Sequence, residues 1–139
     1  MFRHIAARYV PFEWERLALL LAPAVRADPG ATMQGLYRKL AAGQAAVLDV
    51  TMPTARGVLI IETVEDDGMV CWITHLAGSV DGGPKKWLAT MRAEMAGFER
   101  IAKAAGYRQI RICGRNWRRV FDSYRVHDDA TNELRKDLT

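Results

Sequence analysis

The residues able to do chemistry in this chain are of two kinds: proton carriers on extended segments, and cations beside glycines or beside one another. His75 lies in an apolar run, Val70 to Ala77, that reads as a strand. An imidazole there can take a proton from an amine near neutral pH, or it can be a hydrogen-bonded structural residue. Glu62 follows Val58-Leu59-Ile60-Ile61, and Glu65 comes soon after. A carboxylate at the end of such a strand either emerges into water or stays partly buried as a proton acceptor. Lys85 and Lys86 follow Gly82-Gly83-Pro84, a turn that opens a long helix. The unpaired N–H groups and positive dipole end of a helix start suit a phosphate, and glycines allow close approach, although Pro84 removes one donor and Asp81 adds a negative charge. Arg115, Arg118, Arg119 and Arg125 form a basic patch, with Arg108 and Arg111 just before it. Such a patch fits nucleic acid or phosphate, or is a solvated helix face.

Other chemistries find no foothold. There is no Ser-His-Asp set, no paired-carboxylate spacing and no Walker-type loop. The three histidines and two cysteines show no zinc-ligand spacing, so no metal is expected. Cys71 and Cys113 each fall inside a predicted strand and read as small buried hydrophobes of a reducing compartment. Residues 1–10 lack the apolar run of a signal peptide. The longest apolar stretch, Leu17 to Val25, contains Pro23 and is too short to span a bilayer. A cytoplasmic, soluble protein with no membrane partner is the expectation.

The elements that must position these residues follow from periodicity. A chain of 139 residues, half of them hydrophobic and 26% charged, with a net charge of +4, is sized for one domain over residues 1–139. Phe2 to Val10 reads as an edge strand. Pro11 opens a helix whose Trp14, Leu17, Leu21 and Val25 share one stripe and which ends before Asp28-Pro29-Gly30. Thr32 caps a second helix bearing Met33, Leu36, Tyr37 and Leu40, stopped by Gly43. From Gln44 the period becomes extended: Ala46 to Val50, Gly57 to Val64 and Met69 to Ala77 form an antiparallel meander, closed at Asp67-Gly68 by a hairpin turn. A long amphipathic helix runs from Pro84 to about Ala105 and Gly106 ends it. A returning strand, Arg108 to Cys113, completes a βαβ unit, which in an open sheet places its ligand site at the carboxyl ends of the strands. Trp117, Val120, Phe121 and Tyr124 then give a short basic helix an apolar face. Thr131 to Leu138 reads as a closing edge strand or a frayed end.

The order β, α, α, β, β, β, α, β, α describes a single α/β (α+β) domain: a mixed antiparallel/parallel sheet with helices on both faces. Leu40-x-x-Gly43, Trp72-x-x-x-x-Ala77-Gly78, Trp87, Ala105-Gly106 before Ile110-x-Ile112, and Gly114-Arg115-x-Trp117-x-Arg119-Val120 carry a resemblance over nearly the whole chain. It resembles the GCN5-related N-acetyltransferase (GNAT) fold, and within it the small GNAT-like proteins of tailed phages. The resemblance implies an N-acetyltransferase-like activity on an amine, with acetyl-CoA in a cleft where the fourth and fifth strands splay. Its pyrophosphate would lie at Gly82, Gly83, Lys85 and Lys86, a loop that lacks the family's Arg/Gln lead and Gly-x-Gly spacing. Asn116 stands near the position that meets the pantetheine arm. Tyr124, eight residues on rather than the family's seven, stands near the acid that protonates the leaving thiolate. His75 or Glu62 would be the base, and the acceptor would be read by the first two helices and by loops. The phage-like subgroup implies the alternative of a non-catalytic virion or assembly component that binds other protein chains. Nucleic acid would bind, if at all, through Arg115, Arg118 and Arg119.

Overall fold

Where the chain leaves its helical period at Gln44, it builds the centre of the molecule. The computed structural model describes residues 2–139. Strands β2 (Ala46–Met52), β3 (Ala55–Glu65) and β4 (Met69–Val80) form the antiparallel meander. Pro53-Thr54 joins the first pair. The second hairpin turns through Asp67 and Gly68, which take φ of 55° and 112°, the left-handed region that favours glycine. Before the meander come β1 (Arg3–Ile5), a 3₁₀ turn over Ala7–Tyr9, α1 (Val10–Arg26) and α2 (Met33–Ala41). Thr32 caps α2, its hydroxyl accepting the Gly35 N–H at 3.0 Å. After it come α3 (Pro84–Ala104), β5 (Gln109–Ile112), β6 (Arg125–Asp128) and β7 (Glu133–Asp137). The seven-stranded sheet has the order β1-β2-β3-β4-β5-β7-β6, and β4 and β5 are its parallel pair.

Two cores lie on the two faces of this sheet. On one, Met95, Phe98 and Ala102 of α3 pack on Leu59, Cys71, Ile73, Leu76, Ile110, Ile112 and Leu134. On the other, Leu17 and Leu21 of α1 and Leu36 and Leu40 of α2 pack on Val47, Val58, Ile60 and Ala77. Val58, Leu59 and Ile60 are all buried, as an apolar run without alternation requires of a central strand. The second face also holds Asp49, 2% exposed, which ties β2 to Arg3 at 3.2 Å and to Arg16 of α1 at 2.9 Å.

Three expectations are corrected. The edge strand expected over Phe2 to Val10 is confined to Arg3–Ile5; Ala7–Tyr9 is a 3₁₀ turn and α1 already begins at Val10, with Pro11 in its first turn. The predicted basic helix over 117–124 does not form; the segment is a run of tight turns in which the N–H groups of Val120 and Phe121 both reach Trp117 O and that of Tyr124 reaches Phe121 O. Arg92 of α3 holds these turns in place: its guanidinium donates to Val120 O at 2.8 Å and to Arg119 O at 2.9 Å. A helix would need those carbonyls for its own ladder. The closing strand also differs: β7 lies inside the sheet, between β5 and the exposed β6, which takes the edge.

Gly78 and Gly57 face each other across the β3–β4 ladder. A Cβ on Gly78 would stand 2.6 Å from Arg56 O and 3.0 Å from Gly57 Cα, both of them backbone atoms. Gly78→Ala is therefore expected to cost about 1–3 kcal/mol by forcing the strands apart. The check is a urea midpoint that falls at unchanged slope; an unmoved midpoint would show that the strands yield freely.

Candidate active site

The site begins with one extra residue in β4. Ile61 pairs with Ile73 but Ile60 pairs with His75, so Thr74 is bulged out of the ladder. Cys71 and Ile73 before the bulge and Leu76 after it all face α3. Thr74 and His75 are left together at the carboxyl half of β4, next to the end of α1.

There His75 is held on both nitrogens. Nε2 lies 3.2 Å from Asp28 Oδ2 and Nδ1 lies 3.0 Å from Thr74 Oγ1. An ionised carboxylate only accepts, so Nε2–H donates to Asp28, and Nδ1 is the atom that gains or loses a proton. The Thr74 hydroxyl suits either state. It donates to Nδ1 of the neutral ring, or turns its proton to Ile60 O, 3.5 Å away, and accepts from the charged ring. Asp28 is fixed in turn by the Gly30 N–H on its Oδ1 at 3.1 Å. The Asp28-Pro29-Gly30 turn that ends the first helix thus also orients an imidazole 47 residues further on. Asp28 and Thr74 were not singled out from sequence for this role, because no local spacing marks a contact of that range.

His75 and Glu62, both sequence candidates, line one cleft of about 320 Å³ between the sheet and the α1–α2 region. Glu62 reaches Lys39 of α2 at 3.3 Å. Glu65 is not there; its carboxylate accepts the Gly68 N–H at 2.9 Å and closes the hairpin. Cys113, expected inside the strand, lies just past β5 and is half-buried at the cleft wall. Burial pushes its thiol up, against the pull of a hydrogen bond from the Trp72 indole, so it is not a poised nucleophile. Cys71 is the buried hydrophobe expected of it, its thiol pushed up to about 12 by burial.

Beside this cleft the sheet opens. β5 pairs with β4 only from Val70 to Ile73, whereas β4 runs on to Val80. Beyond Ile73 one edge of β4 is without a strand partner, and by alternation the backbone groups of Leu76, Gly78 and Val80 point into the gap. Leu76 O accepts from Arg115 Nη1 at 3.5 Å. A cavity of about 90 Å³ lies here, lined by Thr74, His75, Leu76, Cys113, Arg115 and Trp117 among others.

The loop at the start of α3 has the shape its glycines imply. Gly82 and Gly83 take φ of 104° and 90°, and no side chain caps the helix. The Lys86 stem folds over Gly82, where a Cβ would meet its Cδ at 2.6 Å, while Lys85 and Lys86 remain exposed. Amides of Lys85 and Lys86 are the donors left at this end, since Pro84 has none.

Two expected site residues are elsewhere. Tyr124 is buried in the α3-side core and its hydroxyl donates to Glu99 Oε2 at 2.8 Å. Burial and then Glu99 push the phenol far up, and a hydroxyl so engaged is core structure rather than an acid at the cleft. Asn116 accepts the Arg118 N–H on its own side chain at 3.2 Å, closing a turn. The arginines after β5 also diverge for want of a helix: Arg115 enters the splay, Arg118 pairs with Asp129 and Arg119 is exposed.

No protein-family profile and no curated protein sequence matches the chain. Solved structures do. A GNAT-family protein of Desulfovibrio desulfuricans superposes with a TM-score of 0.62 at 15% identity, covering 100% of this chain and 99% of that one. A GNAT acetyltransferase of Listeria monocytogenes gives 0.60 at 11% identity, covering 99% and 94%. The chain has the GNAT fold. The AtaT–AtaR complex bound to DNA also matches, with a TM-score of 0.52 at 13% identity over 74% of each chain. At these identities the likeness is one of overall fold. No helix among the described residues is long and apolar enough to cross a membrane.

Proposed function

We propose that the chain is an acyl-CoA-dependent N-acyltransferase acting on a primary amine. One observation carries the reading: an oriented imidazole and a strand edge without a strand partner border the same cavity, His75 beside Leu76. The residues present fit an acyl-CoA. The backbone of Leu76, Gly78 and Val80, on an edge without a strand partner, suits the amides of a pantetheine arm, by the same rule that adds a strand to an open sheet edge. The Gly82–Gly83 turn with the amides and side chains of Lys85 and Lys86 suits the phosphates. Bound there, acyl-CoA would supply an activated thioester carbonyl.

The chain's own part is to bring an amine and remove its proton. The amine enters between α1, α2 and the sheet, in the cleft that Asp28, Lys39, Glu62 and His75 line. An ammonium is not a nucleophile, so a proton must leave before attack. His75 Nδ1 takes it, through the Thr74 hydroxyl, while Asp28 holds the ring and balances the imidazolium. With Tyr124 in the core, that same imidazolium would return its proton to the leaving thiolate, and the second proton of the acylated nitrogen would leave to solvent. The GNAT acetyltransferases that share this fold at low identity support acetyl-CoA as the first donor to try.

Isothermal titration with acetyl-CoA and with CoA tests this reading. Micromolar binding is expected, weakened about tenfold, or 1.4 kcal/mol, in a Lys85→Ala/Lys86→Ala variant. Absence of heat at high ligand concentration overturns the proposal.

A further inference from the structure

We infer that the splay cavity selects an acyl group ending in a carboxylate, a short dicarboxylic acyl thioester, and that Arg115 reads it. This rests on the acyltransferase reading. Gly114, at φ 94°, turns the chain off the end of β5, and Arg115 folds back so that its guanidinium enters the gap. It has little to do there. Nη1 makes one long bond, 3.5 Å, to Leu76 O, and the Trp117 ring lies 5.7 Å away. Its neighbours Arg111, Arg118 and Arg125 each hold a carboxylate, from Asp66, Asp129 and Asp137. No carboxylate of a described residue pairs with Arg115, although it is half-buried. A guanidinium carries five donors in a fork that fits a carboxylate two-at-a-time.

The surroundings favour such a partner. Ala24, Ala27, Ile73, Ile112 and Trp117 make the remaining walls largely apolar, which strengthens a charge pair formed inside. Asp28 also borders the cavity, but its two oxygens already face the His75 Nε2–H and the Gly30 N–H. Size sets the chain length. About 90 Å³, against the 10–15 Å³ or so that one water needs, holds several non-hydrogen atoms, which suits malonyl or succinyl rather than a long fatty chain. An acetyl group would leave the guanidinium facing a methyl.

The test is titration of the full chain, without any acceptor amine, with acetyl-, butyryl-, malonyl- and succinyl-CoA, so that the acyl chain brings the only carboxylate. The better of malonyl- and succinyl-CoA is expected to bind at least about tenfold tighter than butyryl-CoA, as one charge-assisted bidentate contact implies. In Arg115→Gln that ratio falls to about one, and in Arg115→Lys, a gentler change for folding, it falls part of the way. Equal binding of all acyl chains to the wild type overturns this inference and leaves the acyltransferase reading standing. Binding of none overturns both. A preference that survives in Arg115→Gln overturns the assignment to Arg115.

Discussion

Replacing His75 by alanine is expected to lower kcat for amine acylation by about 10²–10⁴-fold, the usual worth of a positioned general base, with acyl-CoA binding retained. Retained binding follows from placement. The strand edge and the glycine loop that suit the cofactor owe their geometry to β4 and α3, not to the imidazole. Asp28→Asn should lower kcat less, because it keeps the ring's neighbour while removing the charge that balances the imidazolium. A base also leaves a signature that a structural histidine does not: in the residual activity of His75→Ala the acid limb should follow only the free-amine fraction of the substrate, rising up to the amine's own pKa, whereas the wild-type limb should level off with the histidine. If the variant is folded and as active as the wild type, the assignment of the base to His75 fails.

Phe98→Ala should be the most damaging single truncation in the α3-side core, at about 3–5 kcal/mol. Phe98 is 2% exposed and sits where α3 crosses the sheet, edge-on to Phe2 with ring centroids 5.6 Å apart. The loss combines apolar burial with the cavity left between a long helix and rigid strands, neither of which can collapse far. Set against a typical domain stability of about 5–15 kcal/mol, such a loss brings the chain close to unfolding. Thermal scans should show the midpoint about 10 °C lower or more, and Phe98→Leu should recover much of it. A shift of only a few degrees would mean that the helix does not bear on the sheet as described.

The fold was legible wherever a periodic apolar face met a matching partner. The meander, the glycines that end α2 and α3 (Gly43 and Gly106), the Thr32 cap and the long Pro84 helix all follow from local rules that the structure obeys. Spacing misled at 117–124. Trp117, Val120, Phe121 and Tyr124 recur as a helix requires, but consecutive tight turns bury the same set, and the arginine that takes the carbonyls lies 28 residues back on α3. The β6 strand gave no signal because Arg125–Asp128 is exposed throughout and carries no alternation. The site was half legible. His75 and Glu62 stand out by residue type in apolar strands; Asp28 and Arg115 act across folded distance, where sequence shows only a turn and a basic run.

The additional residue in β4 amounts to a change of phase written into one strand. Both cores read through it undisturbed, since Ile73 before it and Leu76 after it still face α3. Removing one residue between them would let the strand resume plain alternation and keep its ladder, at the loss of one of two adjacent polar side chains. The proposed catalytic arrangement is thus separable from the architecture by a single codon. Among homologous chains, the number of residues between the positions of Ile73 and Leu76 should sort those that retain a poised histidine from those that keep only the scaffold.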